Sequence, residues 1–375
     1  MKKTIFGLFA ITLIMSCGPK TKVSESAIMR ENFNKQVELG KTDLYTLKNE
    51  GGIEIKMTNY GARIVSILMP DAQGNYDDIV LGFNTIDDYI TRDNMYLGCI
   101  VGRFANRIAN GKFSLDGQEF QLEQNEGTTT LHGGKKGYDK VLWDAVQDGN
   151  SITMTYTSPD GEQGFPGEVK VKQVFTLTPE NEIIMEFFAE TNKKTVINLT
   201  NHTYLNLKGE GNGDILAHKV EINADMYTPV DSLWIPTGEI AAVDGTPFDF
   251  RTPTAVGARV NDDNQQLKNG KGYDHNWVLK KDSTELSFAS RVFEETTGRM
   301  LEIYTIEPAL QFYCGNFMDS SVSGKSGKTY VHRGAFIFEP QHYPDSPNQE
   351  NFPSTVLEPG EKYYHKSVYK FSVKK

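Results

Sequence analysis

One carboxylate and two histidines are the side chains of this sequence best suited to chemistry. Glu339 follows the apolar run AFIF, His132 is part of the motif LHGG, and His202 is part of the motif NHTY. Glutamate and histidine are well matched for paired proton transfer near neutral pH. The set therefore predicts acid–base chemistry that requires no cofactor.

The surroundings of His132 and His202 separate them from the other histidines. A histidine in a β protein is ordinarily structural, and this interpretation applies to His218, His332 and His365, whereas His275 and His342 fit either role. His132 and His202 each lie among Gly, Asn and Thr residues and not in an apolar alternation. Their spacing does not match the compact HExxH pattern of a zinc site, so we predict no catalytic metal.

The elements that must position these groups read as β-strands. Ile53, Ile55 and Met57 alternate with polar residues, which is typical of a strand with one buried face. Phe113 and Leu115 lead into Asp116-Gly117, which predicts a hairpin with a two-residue turn. The dense apolar run 183–188 indicates a central strand, and Thr85–Arg92 is the one short helix expected. We predict an all-β fold, a large antiparallel β-sandwich formed by a single domain over residues 37–375.

Composition limits the partners. The formal charge is -10, which argues against nucleic acid, since nucleic-acid binding requires a basic surface. The charge is compatible with a neutral small ligand. Acidic loop pairs, Asp77-Asp78 and Asp262-Asp263, leave a structural Ca²⁺ site open. No interface signature is visible in the sequence, and we expect a monomer.

The N-terminus has the features of an export signal. Lys2 and Lys3 precede an apolar stretch from Ile5 to Met15 that is too short to span a bilayer stably. The following residues, ending at Cys17, resemble the lipobox of bacterial lipoproteins, although an ordinary cleaved signal with an incidental cysteine is the alternative. We predict a signal peptide over 1–16, a lipidated Cys17 with a polar tether over 17–36, and an exported periplasmic or cell-envelope lipoprotein.

Two cysteines remain after Cys17. Cys99 and Cys314 could form one disulfide in an oxidising compartment, but the sequence does not test its geometry. The simpler interpretation is that both are small buried hydrophobic residues. In either case the fold depends on its core and not on a disulfide framework.

Five motifs together resemble the aldose 1-epimerase (galactose mutarotase) family, in a lipoprotein-type bacterial form. They are GRFANRI at 102–108, LHGG with GYDKVLW at 131–143, NLTNHTYLNL at 198–207, YDHN at 273–276, and QFYCGN with FEPQ at 311–341. The resemblance extends in order from about Asn59 to the C-terminus. It implies a large β-sandwich with a sugar cleft on one sheet. It also implies interconversion of the α and β anomers of free aldoses such as galactose and glucose, without a redox or metal cofactor.

The resemblance also implies roles for individual residues. Glu339 matches the family's general base, His202 its general acid, and His132 its second active-site histidine. Arg107 matches the arginine beside the sugar, and the substrate-binding positions match Asn106, Asp274 and Gln311. Pro340 departs from the threonine expected after the glutamate, although proline is compatible with a strand end. Aromatic residues that could pack on the apolar face of a sugar are Tyr204, Phe165, Trp234 and Tyr313, although a plain core role is the alternative for each of them.

Other functions remain open at this stage. Asp274 and Glu339 could be the two carboxylates of a glycoside hydrolase, although a dedicated histidine argues against that. A non-catalytic sugar-binding lipoprotein could use the same cleft. A phosphorylated sugar would require more basic residues than Arg107 alone. Selection among galactose, glucose and xylose depends on small energetic differences that the sequence does not reveal.

Overall fold

The largest element of the fold is a nine-stranded antiparallel sheet. The computed structural model describes residues 28–93, 95–281 and 284–374. The strands of this sheet run, in spatial order, Asp144–Asp148, Ser151–Ser158, Val169–Leu177, Glu182–Thr191, Tyr363–Val373, Arg299–Thr305, Ser287–Phe293, Lys219–Ile222 and Thr254–Ala255. The apolar run 183–188 lies in the fourth of these strands, paired on both sides, which confirms the prediction of a central strand.

Two smaller antiparallel sheets complete the main architecture. The five-stranded sheet runs Ala241–Ala242, Ala224–Thr228, Asp274–Leu279, Ala309–Tyr313 and Ile337–Gln341. The four-stranded sheet runs Leu44–Lys48, Glu54–Thr58, Arg63–Pro70 and Tyr76–Asp78.

Short ladders and helices connect the sheets. Two-stranded ladders pair Gln36–Val37 with Gly40–Lys41, Ile100–Val101 with Thr200–Asn201, Arg107–Ile108 with Thr130–Leu131, Lys112–Leu115 with Gln118–Gln121, and Thr195–Val196 with Val356–Leu357. Within the described ranges, α-helix is confined to Ile86–Arg92 and Gln265–Gly270. The 3-10 turns are Arg30–Asn32, Ala109–Gly111, Tyr138–Lys140, Glu162–Gly164, Val256–Ala258 and Ser346–Asn348.

Local sequence signals explain these elements. The predicted hairpin forms at Asp116 and Gly117, whose φ angles of 51° and 80° are those of a type I′ turn. The predicted short helix begins after Thr85, whose hydroxyl accepts a hydrogen bond of 3.1 Å from the Asp88 N–H. Along Val169–Leu177, buried and more exposed residues alternate, as the period-2 pattern predicts.

One core joins the two large sheets. Phe175, Met185 and Leu301 of the nine-stranded sheet belong to the same buried cluster as Trp277 and Phe338 of the five-stranded sheet. Opposed antiparallel sheets that share a core form a sandwich, so the predicted all-β fold class is confirmed. In the five-stranded sheet, unlike the nine-stranded sheet, the strand Ile337–Gln341 is buried at every position. The face of this sheet that points away from the shared core must therefore also be covered, and that face carries polar side chains.

The folded structure begins earlier than residue 37. Ile28 and Phe33 are buried, and both pack in a core cluster with Leu44 and Tyr89. The tether predicted over 17–36 is therefore wrong for its last nine residues, because two apolar side chains anchor this stretch to the domain. The signal peptide over 1–16 and Cys17 lie outside the described residues. A search of the described helices finds none long and apolar enough to cross a membrane.

Both remaining cysteines of the domain are free thiols. Cys99 and Cys314 are fully buried. Burial raises the pKa of the Cys99 thiol well above its ordinary value and that of Cys314 to about 12. Buried thiols of this kind remain protonated and behave as small hydrophobic residues, which confirms the simpler of the two interpretations.

Candidate active site

Three neighbouring strands bring a carboxylate, an amide and a second carboxylate together. Glu339 pairs in register with Gln311, and Gln311 pairs with Asn276, two residues after Asp274. The Gln311 amide donates a hydrogen bond of 2.7 Å to Asp274 Oδ1. Side chains at alternate positions of a strand share a face. The polar face of the five-stranded sheet is thus built from Asp274, Gln311 and Glu339.

His202 reaches this face from a different ladder. Its N–H donates to Cys99 O at 2.8 Å, and its carbonyl accepts from the Gly98 N–H at 3.0 Å. These bonds continue the pairing of Thr200–Asn201 with Ile100–Val101. His202 Nε2 lies 3.8 Å from Glu339 Oε1. That separation is too long for a hydrogen bond and leaves both atoms available to a ligand.

His132 lies on a turn with a left-handed backbone. Its φ is 51°, and a Cβ on the following Gly133 would meet Gly102 O at 2.0 Å, so the glycine is required for close approach of the backbone. The Asn106 N–H donates to His132 Nδ1 at 3.1 Å. In a neutral imidazole this places the proton on Nε2. The His132 and His202 rings are 4.9 Å apart.

Arg107 is held by a residue that the sequence did not single out. Glu126 accepts two hydrogen bonds from the guanidinium, 2.5 Å from Nε and 2.9 Å from Nη2. Arg107 Nη1 is 3.8 Å from Asp274 Oδ2, and the guanidinium lies 5.0 Å from the Trp234 ring. A bidentate pair fixes the plane of the arginine. Nothing in the sequence marks Glu126, which lies in an ordinary polar loop.

These side chains surround a cavity of about 200 Å³. It is lined by Met95, Tyr96, Asn106, Arg107, Glu126, Leu131, His132, His202, Tyr204, Asp274, Tyr313, Phe317 and Glu339. Gln311 lies behind Asp274 as its hydrogen-bond partner. All the predicted site residues of the domain are therefore in this region. Tyr96, whose ring is 4.7 Å from that of His132, was missed, because it follows no pattern in the sequence.

The other sequence predictions for side chains divide cleanly. Tyr204 and Tyr313 line the cavity, as expected of aromatic residues beside a sugar. Phe165 instead packs in a separate core cluster with Phe113, so for this residue the core alternative holds. Arg103 of the GRFANRI motif has a structural role, since it donates to Pro166 O at 2.7 Å and Gly167 O at 2.8 Å.

Burial controls the protonation of the site. Burial and the nearby Asp274 carboxylate raise the pKa of Glu339 well above its ordinary value, and Arg107 opposes this rise only in part. Burial lowers the pKa of His202 to about 4. Burial, His202 and Arg107 lower the pKa of His132 well below its ordinary value. An acid and a base with pKa values moved in opposite directions inside one cavity are typical of a catalytic site.

Comparison with known proteins agrees with this geometry. The family model described as aldose 1-epimerase matches residues 43–370. The chain belongs to the aldose 1-epimerase family. It is 43% identical to the galactose mutarotase of Bos taurus over 334 residues, which cover 89% of this chain and 95% of that protein. It is 36% identical to the aldose 1-epimerase of Escherichia coli (strain K12) over 331 residues, which cover 88% and 94%.

Solved structures of the family share the fold. The aldose epimerase homologue from C. elegans superimposes with a TM-score of 0.81 at 31% identity, covering 89% of this chain and all of that one. Galactose 1-epimerase from Lactobacillus acidophilus gives a TM-score of 0.80 at 29% identity, covering 92% and 98%. The predicted family and the predicted β-sandwich fold are confirmed. As a member of this family the protein is an isomerase, which removes the glycoside hydrolase alternative.

Metal binding has one geometric candidate in the described part of the chain. His132, His202 and Glu339 offer ligand atoms within 4.8 Å of one another. The acidic pairs considered for calcium are engaged differently: Asp78 contacts the Lys325 ammonium at 2.6 Å, and Asp263 pairs with Lys268. A carboxylate that is paired with a lysine does not by itself supply the several oxygen ligands that calcium needs, so the calcium prediction gains no support.

Proposed function

We propose that this protein interconverts the α and β anomers of free aldohexoses such as galactose and glucose, with Glu339 as general base and His202 as general acid. The observation that carries the proposal is the 3.8 Å gap between Glu339 Oε1 and His202 Nε2 at the base of the cavity. Two proton carriers that face each other without bonding can contact the anomeric hydroxyl and the ring oxygen of one sugar.

Ring opening needs two proton transfers. The Glu339 carboxylate takes the proton of the anomeric hydroxyl while His202 protonates the ring oxygen, and the bond between the anomeric carbon and the ring oxygen breaks. The open aldehyde rotates about its bond to the next carbon. Closure on the other face returns the proton from Glu339 to the new hydroxyl and from the ring oxygen to His202. Each positioned transfer contributes about 10²–10⁴-fold.

One proton serves the whole cycle. The empty site favours protonated Glu339 and neutral His202, since burial disfavours both charges. This form holds one proton in total, as does the Glu339 carboxylate with the His202 imidazolium that begins ring opening. It is also the form in which ring opening leaves the two groups. Arg107, which lowers the pKa of Glu339, and the hydroxyl groups of the sugar stabilise the charged form.

The remaining groups bind and orient the sugar. Asp274 accepts hydrogen bonds from hydroxyl groups, and its bond from Gln311 fixes its orientation. Arg107, held by Glu126, and neutral His132 donate to oxygens on which charge develops. Tyr204 and Tyr313 offer aromatic surface. Asn106 completes the wall beside His132.

Polarimetry tests the reaction directly. Freshly dissolved α-galactose and α-glucose should reach the same final rotation faster with the purified protein than without it. The acceleration should disappear in His202→Ala. A non-catalytic sugar-binding protein would leave the rate at its spontaneous value, and that result for every common aldose would overturn the proposal.

The proposed chemistry uses protein side chains alone. Dialysis against EDTA should leave the rate of mutarotation unchanged. Added Zn²⁺ should inhibit competitively with the sugar, because His132, His202 and Glu339 are close enough to ligate it. A rate that falls on dialysis and returns with a divalent cation would contradict a cofactor-free mechanism.

We further propose that the protein is exported and anchored through acylated Cys17, and that the domain acts as a monomer beside the membrane. The support is the sequence of the first 17 residues. Mass spectrometry of the purified full chain should find a diacylglyceryl-modified N-terminal Cys17. Cys17→Ser should release the enzyme into the soluble fraction. Unprocessed Met1 in a cytosolic protein would overturn the localisation.

A further inference from the structure

The segments that carry His202 and Glu339 belong to different ladders. Thr200–Asn201 pairs with Ile100–Val101, and Ile337–Gln341 pairs with Ala309–Tyr313. Within the described residues the two segments share no named ladder with each other. Their relative position must therefore be set by contacts outside the regular pairing, and those contacts decide the width of the gap that the sugar enters.

Hydrogen bonds join the segments on both sides of the proposed acid and base. On one side Leu205 and Phe336 form a single antiparallel bridge, with two hydrogen bonds of 2.9 Å. These residues lie three positions after His202 and three positions before Glu339. On the other side the joining residue is Asn198, four positions before His202. Its side chain contacts His342, three positions after Glu339.

On this second side the Asn198 side chain makes the hydrogen bonds that a neighbouring strand would otherwise make. Its Oδ1 accepts from the His342 N–H at 3.0 Å, and its Nδ2 donates to the His342 carbonyl at 3.2 Å. An amide that bonds both backbone groups of one residue reproduces a pair of ladder bonds. The Asn198 backbone also accepts from the Ala105 N–H at 2.8 Å and donates to Arg103 O at 3.0 Å. Asn198 therefore links three segments of the site.

The residue that Asn198 grips is itself held by a buried ion pair. His342 Nδ1 lies 2.7 Å from Glu307 Oε2, and Glu307 is 2% exposed. Burial lowers the pKa of His342, but Glu307 outweighs this and raises it above its ordinary value. The pair is closed, in contrast to the gap between His202 and Glu339. It fixes the His342 side chain while Asn198 fixes its backbone.

We propose that Asn198, with the Glu307–His342 pair behind it, is a positioning device that sets the separation of Glu339 and His202. This inference rests on the proposed function of those two groups. Asn198, Glu307 and His342 do not line the cavity that holds the proposed acid and base; they act through the segments they join. Because the two segments are joined on both sides of the gap, the distance between Glu339 and His202 is fixed. A change of about 1 Å in such a distance can lower the rate about 10²-fold.

The ion pair makes the device sensitive to alkaline pH. His342 borders a second cavity of about 480 Å³, and a quarter of its side chain is exposed, so solvent can take its proton. Titratable and charged groups around the pair are Glu307, His365, Lys281, Glu361, Lys362 and Tyr363. Loss of the His342 charge leaves Glu307 buried without its partner. The kcat of the wild type should therefore fall above the raised pKa of His342.

Asn198→Asp is the decisive variant, because it keeps shape and acceptor but loses the donor to the His342 carbonyl. We expect kcat for galactose to fall about 10- to 100-fold while KM changes less than about threefold. Asn223→Asp is the matched control: Asn223 Nδ2 donates to Lys280 O and Phe288 O at a distance from the cavity. It should keep the wild-type kcat.

A second variant keeps the test decisive if Asn198→Asp folds poorly. His342→Gln retains the backbone groups that Asn198 binds but removes the ion pair, and it should reduce the alkaline decline of kcat by the part that His342 contributes. Wild-type kcat in Asn198→Asp, an equal loss in Asn223→Asp, or an unchanged alkaline decline in His342→Gln would each overturn the positioning device. Wild-type protein without activity on any aldose would instead overturn the proposed function, and this inference with it.

Discussion

Two glutamate–histidine pairs of this protein have opposite electrostatics. Glu339 and His202 stay 3.8 Å apart, with the pKa of the glutamate raised and that of the histidine lowered. Glu307 and His342 are 2.7 Å apart, with the pKa of the glutamate lowered and that of the histidine raised. The first pair favours the neutral forms, whereas the second is an ion pair.

The difference follows from what surrounds each glutamate. Burial opposes the charge of both, but Glu307 faces His365 and His342, whereas Glu339 faces Asp274 as well as Arg107. A like charge nearby and a gap in place of a hydrogen bond keep the proton of Glu339 available. The comparison teaches that identical residue types serve chemistry or structure according to distance and neighbours.

The largest effect on activity should come from Glu339 and His202, whose side chains do not bond to each other and which we call the open pair. Glu339→Gln removes the base but keeps shape and neutrality, so we expect activity to fall by at least about 10²–10⁴-fold. The free energy of unfolding should not fall and should rise above about pH 4.5, because the unfolded wild-type glutamate ionises there whereas burial disfavours its charge in the folded state. Polarimetry and chemical denaturation measure the two quantities. A fully active variant would remove Glu339 from the reaction.

Glu307 and His342, whose side chains are in contact and which we call the closed pair, should affect stability in the opposite sense. Glu307→Gln leaves His342 without its counter-ion in a largely buried position, and we expect the free energy of unfolding to fall by about 3 kcal/mol. Urea denaturation at pH 6 checks this value, with Glu339→Gln as the isosteric control at the other pair. Equal stability changes in the two variants would show that the electrostatic contrast between the pairs is wrong.

The sequence predicted the open pair better than the closed one, for a physical reason. Glu339 lies in the middle of Ile337–Gln341 and His202 directly follows Thr200–Asn201. Both belong to motifs with polar residues, and proton chemistry restricts their residue types. His342 fitted either role, because its partner Glu307 lies 35 positions away and only the fold joins them. The same limit applies to Glu126, which binds Arg107 across 19 positions.

The fold was predictable where patterns are local. Strand alternation and the Asp116-Gly117 turn lie within a few residues of one another, and the structure confirms both. The start of the domain was placed too late, since Ile28 and Phe33 lie in a polar stretch and their burial depends on contacts with distant residues such as Tyr89. Strand order in the sheets depends on equally distant partners.

A smaller effect should appear in the pH dependence of the reaction. The pair Glu339 and His202 reacts with one proton in total, so kcat/KM should fall as pH rises through the raised pKa of Glu339, where that proton is lost. Asp274→Asn removes the repulsion that helps to raise the pKa of Glu339. The alkaline limb of kcat/KM should then move to lower pH, while KM increases through the lost contact with the sugar. An alkaline limb that stays in place would show that Asp274 does not control the protonation of Glu339.

The smallest effect concerns the stability of the closed pair as pH changes. The folded-state pKa of His342 is raised above 6.5, so its contribution is complete below that pH and is lost as pH rises through the folded value. The folded-state pKa of Glu307 is lowered below 4.5, so its contribution is complete above that pH and is lost as pH falls through the folded value. Both contributions are therefore complete between about pH 4.5 and 6.5.

His342→Gln should flatten the alkaline decline in the free energy of unfolding, measured by urea denaturation from pH 6 to 9. An unchanged decline in His342→Gln would assign it to other groups such as Glu339, whose raised folded-state pKa also lowers stability as pH rises from its unfolded value towards its folded value.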